Sequence, residues 1–75
     1  MEERENLSVK ISSYPVARDY RIDCVTHEDF HGKKTYDVDV VFETLGIAIE
    51  SFRGMERADE ANACFKKMRS KYEGI

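Results

Sequence analysis

The amino-acid sequence predicts a two-layer α+β domain: an antiparallel meander sheet of three or four strands, with one C-terminal amphipathic helix packed on one face. Three observations predict it. Two runs of alternating residues, starting at Tyr20 and Tyr36, flank a turn signal at Asp29-Phe30-His31-Gly32. A third β-rich run starts at Ile47, and from Glu56 onward the apolar spacing changes from two residues to three or four.

Residues 1–6 are polar and read as a flexible start, followed by a single domain over residues 7–75. Leu7, Val9 and Ile11 alternate with Ser8, Lys10 and Ser12, the pattern of a short strand. Tyr14-Pro15 is expected to close that strand, because proline lacks an N–H and holds its predecessor extended.

Tyr20, Ile22, Cys24 and Thr26 then alternate with Arg21, Asp23 and Val25, and Tyr36, Val38, Val40 and Phe42 alternate with Asp37, Asp39 and Val41. Asp29 and Gly32 hold the first and fourth positions of a type I turn, the core of a three-residue hairpin loop with a left-handed glycine in a G1 bulge. Such a loop pairs Asp29 with Lys33. It sets Tyr20 against Phe42, Ile22 against Val40, Cys24 against Val38 and Thr26 against Tyr36, all on one side. A shift by one residue breaks that apolar face. The same register sets Asp23 against Asp39, a like-charge pair that Arg21 could relieve.

The next strand is expected over residues 47–52. A two- or four-residue loop before it places Ile47 and Ile49 on the face of Phe42, whereas a three-residue loop buries Glu50. A helix is expected over residues 56–72, with Ala58, Ala61, Phe65, Met68 and Tyr72 in one stripe and Cys64 beside it. Glu56, Asp59 and Glu60 open this helix and Lys66, Lys67, Arg69 and Lys71 close it, which complements the helix dipole. Gly74 suits a left-handed cap. The sheet face away from the helix carries Arg21, Asp23, Val25, Asp37, Asp39 and Val41.

Seventy-five residues make one small core, burying about 60% of the unfolded surface. Four Phe and four Tyr among 41% apolar residues argue against disorder. A net charge of −3 is the wrong sign for a nucleic-acid binder, so nucleic acid is not an expected partner. Cys24 and Cys64 are too few for a disulfide scaffold and lack zinc-ribbon spacing; they read as small buried thiols, with a single bridge left open. No apolar run is long enough to span a membrane, and the acidic start differs from a signal peptide, so the chain reads as cytoplasmic.

His27-Glu28-Asp29-Phe30-His31 matches the H-E-x-x-H zinc signature, but that chemistry needs both histidines on one helical face. Here the segment forms the tip of a hairpin, and its residues are expected in solvent. The Asp23, Asp37 and Asp39 carboxylates read as a solvated polar face rather than an acid–base pair. No glycine-rich phosphate loop or nucleophile elbow is present. The expectation is a non-enzymatic module that binds another protein, as adaptor or inhibitor, without a cofactor. Its surface is the open sheet face or an edge strand, and a homodimer is one form of partner. A nucleic-acid binder using Lys66, Lys67, Arg69 and Lys71, and a metal protein using His27 and His31, are the alternatives.

Overall fold

The computed structural model describes residues 8–74. In it the chain forms β1 (Ser8–Ala17), β2 (Tyr20–Glu28), β3 (Lys34–Phe42), β4 (Ile47–Met55) and α1 (Ala58–Glu73). The strands make one antiparallel meander in the order β1-β2-β3-β4, with the helix laid across one face. This is the expected architecture, with four strands. The flexible start expected over residues 1–6, and Leu7 of the first strand, lie outside the described residues.

The loop between β2 and β3 takes the form that its residues demand. Gly32 N–H donates to the Asp29 carbonyl, and Asp29 N–H donates to the Lys33 carbonyl, both at 3.0 Å. Gly32 has φ +83°, the left-handed geometry of the G1 bulge. Asp29 Oδ1 also accepts the N–H groups of His31 and Lys33, each at 2.9 Å. The bond from Lys33, with that from His31 behind it, holds the Asp29 carboxyl below its usual range. The register follows as expected: Tyr20 faces Phe42, Ile22 faces Val40, Cys24 faces Val38 and Thr26 faces Tyr36.

Several expectations about the flanking elements are corrected. Pro15 does not end β1, which continues to Ala17 with Pro15 opposite Arg21. Proline is tolerated because β1 is an edge strand and its register shifts between Pro15 and Ala17. The β3–β4 loop is the expected even one, four residues from Glu43 to Gly46, and Ile47 faces Phe42. Ile49, however, drops out of the ladder in a bulge, so Ala48 faces Val41 and Glu50 faces Val40. A second register shift at the far end, where Gly54 has φ +74°, carries β4 past Phe52 to Met55. Finally, Gly74 is not left-handed: it has φ −90° and ψ 4°, and its N–H turns back to the Tyr72 carbonyl in a closure that needs no positive φ. The helix begins at Ala58, leaving Glu56 outside it.

Ile22, Val38 and Val40 are fully buried beneath Met68 and Tyr72 of α1, and Val16, Tyr20, Cys24, Phe52, Met55, Cys64 and Phe65 pack around them. Three of the expected helical stripe, Phe65, Met68 and Tyr72, thus reach the sheet. Phe65 packs on Tyr14 of β1 with ring centroids 4.9 Å apart, and Tyr72 packs on Tyr20 at 5.2 Å. The bulge at Ile49 delivers Glu50 to this helical face. There its Oε2 accepts Lys71 Nζ at 2.7 Å and the Tyr72 hydroxyl. Lys71 and Tyr72 hold the Glu50 carboxyl low, while the bond to Glu50 pushes Tyr72 up to about 12.

Two predictions follow from this frame. Gly32→Ala loses about 1 kcal/mol or more, since alanine resists positive φ; an unchanged urea midpoint would remove the bulge. A raised tyrosine pKa contributes stability that is complete below the ordinary value of 10.0 and is lost as pH rises towards about 12. An ultraviolet titration should therefore show a late ionisation from Tyr72, returning towards the ordinary range in Glu50→Gln.

Candidate functional site

The sheet face away from α1 is built from cross-strand rows that the register dictates. Val9 lies beside His27 and Thr35, Ile11 beside Val25 and Asp37, Ser13 beside Asp23, Asp39 and Ser51, and Pro15 beside Arg21, Val41 and Ala48. All six residues expected on the open face, Arg21, Asp23, Val25, Asp37, Asp39 and Val41, are therefore together on it.

Their environment differs from the solvated face expected. The side chains of Asp37, Asp39 and Asp23 are only 11%, 15% and 17% exposed. Neighbouring groups bond all but one of their oxygens. Arg21 Nε donates to both Asp23 oxygens at 3.1 and 3.2 Å, and Ser13 Oγ donates to Asp23 at 2.7 Å. Arg53 Nη2 lies 3.3 and 3.4 Å from the two Asp39 oxygens. Its geometry makes a hydrogen bond only to Oδ2, leaving Oδ1 buried with ionic attraction alone. The like-charge pair of Asp23 and Asp39 is thus relieved by two arginines, one for each carboxylate.

Asp37 has the most specific partners. Its Oδ1 accepts the Gly54 N–H at 2.9 Å, the donor that the β4 bulge takes out of the ladder. Its Oδ2 accepts from His27 Nε2 at 2.9 Å. Burial pushes the Asp37 carboxyl up, but the Gly54 and His27 bonds and the nearby charges outweigh it, so its pKa lies below the usual carboxylate range. His27 is therefore not a free residue of the hairpin tip, as expected from sequence, but a strand residue anchored to the network. His31 does lie exposed at the tip, where its ring packs on Phe30 at 4.8 Å. Among the described residues no group of three or more His, Cys, Asp or Glu is placed to hold a metal ion.

With the carboxylates tied down, the large apolar side chains left accessible on the face lie along β1. Val9 is 51% and Ile11 65% exposed, beside half-buried Val25, while Val41 is buried. Val9 and Ile11 were read as strand residues but not as site residues. The signal was present: the apolar positions of β1 are odd through Ile11 and even from Tyr14, with Ser12-Ser13 at the change of phase.

The remaining candidates are placed elsewhere. Arg69 Nε bonds Glu73 at 3.1 Å and Lys71 bonds Glu50, while Lys66 and Lys67 are exposed on α1. Cys24 and Cys64 are free thiols on the helical side of the sheet, half-buried rather than fully buried, and burial pushes both up, away from the reactive thiolate. Cys24 lines a half-open cleft of about 300 Å³ with Tyr14, Thr26, Tyr36, Phe65 and Arg69. No helix among the described residues is long and apolar enough to cross a membrane. Comparison with protein-family models, curated proteins and solved structures finds no match to this chain.

Asp37 yields a prediction. A depressed carboxylate pKa contributes stability that is present above the ordinary value of 3.8 and is lost as pH falls through the lower folded value. Asp37→Ala also strands the Gly54 N–H. It should cost about 1–3 kcal/mol in urea unfolding at neutral pH. The gap to the unsubstituted protein should narrow in acid; a gap independent of pH would mean that the ionised carboxylate is not what stabilises the bulge.

Proposed function

We propose that this chain is a non-enzymatic protein-interaction module of the adaptor or inhibitor kind. Its working surface is the β1 edge with the apolar strip of Val9, Ile11 and Val25 beside it. The difference between the two sheet edges carries this reading. β4 is interrupted by two register shifts and bears Arg53, devices that discourage strand addition. β1 pairs with β2 without interruption from Ser8 to Pro15 and carries one charged residue, Lys10. An edge of this kind presents backbone donors and acceptors to an extended segment of a partner, while exposed alternate side chains provide selectivity. A cytoplasmic setting belongs to the same proposal, and the two unbridged thiols support it.

The test is a capture experiment from nuclease-treated lysate with three baits. These are the unsubstituted chain, Val9→Lys with Ile11→Lys on the edge, and Lys66→Glu with Lys67→Glu on the helix. A stoichiometric protein lost with the edge variant and kept by the helix variant is the expected result. A partner kept by the edge variant, or one removed by nuclease and by the helix variant, would overturn the reading.

A further inference from the structure

We infer that the strand added to β1 is the β1 of a second copy, joining two four-stranded sheets into one continuous antiparallel sheet around a twofold axis at Ile11. The inference rests on the interaction reading above and specifies its partner.

The segment from Ser8 to Tyr14 is complementary to itself when reversed. With Ile11 opposite its own counterpart, Val9 faces Ser13, Lys10 faces Ser12 and Ser8 faces Tyr14. The one charge on the segment therefore meets a hydroxyl, and no like charges stand directly opposite each other. Pro15 falls just beyond the last pair at each end, so its missing donor interrupts no bond of the new ladder.

The faces agree as well. A twofold axis normal to the sheet keeps both helices on one side and both open faces on the other. Ile11 shares the open face with Val25 in each copy, and Val9 lies two residues along the same strand. Pairing about Ile11 merges the two strips into one apolar band across the seam. The side chains it would shelter, Val9 at 51% and Ile11 at 65% exposure, are among the most exposed aliphatic residues of the sheet. No other antiparallel placement of this edge brings Ile11 against itself, which makes the register testable by charge.

The experiment is sedimentation equilibrium of the full chain over a range of concentrations, with Ile11→Lys and Ile11→Glu. The unsubstituted protein should reach the mass of two chains. Each variant alone should stay at one, because like charges then face across the axis. An equimolar mixture of the two should regain the two-chain mass. Both substitutions fall at an exposed position, and circular dichroism with a thermal melt confirms that each variant is folded.

Dimers that persist in both single variants, or folded variants whose mixture does not dimerise, would overturn the Ile11 register. A one-chain mass for the unsubstituted protein at every concentration would overturn the second copy as partner. Amide exchange on that monomer then separates the two ideas. Fast exchange of alternate β1 amides leaves the edge open to a different protein, so only the second copy is lost. Protection along all of β1 would remove the edge reading itself.

Discussion

The pairing of β2 with β3 is the constraint on which the rest of this molecule depends. Asp29 accepts two backbone donors with one carboxylate oxygen, and Gly32 takes the positive φ that closes a three-residue loop. That geometry brings Ile22, Val38 and Val40 onto one face, and the same parity sends Asp23, Asp37 and Asp39 to the other. A slip of one residue on β3 would set Asp37 and Asp39 beneath the helix in place of Val38 and Val40. Because turn chemistry and apolar alternation select the same register, this part of the fold could be read from the residues with no structural information.

Legibility falls away from that hairpin for a physical reason. Counting alternation outward from a loop assumes an unbroken ladder, and β4 is broken twice. The even loop correctly predicts the facing of Ile47, but the bulge at Ile49 then reverses the parity. Glu50 consequently reaches the helical side, a position that alternation alone would assign to an apolar residue. It is tolerated because Lys71 and Tyr72, in the last turn of α1, supply a cation and a hydroxyl donor. Gly54 inside a strand was the available sign of the second irregularity. Gly74 shows the opposite error: a residue able to adopt positive φ is not obliged to.

The open face shows how facing differs from exposure. Its six expected residues were placed correctly by the period of two, yet Asp37 and Val41 are buried although no element among the described residues lies over them. Charged groups on adjacent strands cover one another, with Arg21 and Arg53 bridging carboxylates that alternation alone would leave in water. Cross-strand satisfaction depends on rotamers and on a bulge in the neighbouring strand, and neither is written in the pattern of β3 itself. The large aliphatic residues exposed on this face are Val9 and Ile11, whose apolar phase is opposite to that of Tyr14 within one strand. That change of phase is legible only once Tyr14 is known to face Ile22 and to pack on Phe65.

The two edges of the sheet give this exposure its meaning. A small domain with few fully buried side chains gains little stability to offset aliphatic surface left in water. Edge strands are commonly defended by bulges, prolines or charges, and β4 has the first and last of these. β1 has a proline, but only at the end where the chain turns towards β2, and the stretch before it is regular and nearly uncharged. One exposed isoleucine on a sheet surface needs no explanation. Two aliphatic residues in phase, on an edge whose proline and register shift lie only at its far end, form a surface suited to a further strand. The bulges that made β4 hard to read from sequence are thus the features that single out β1 as the edge available for pairing.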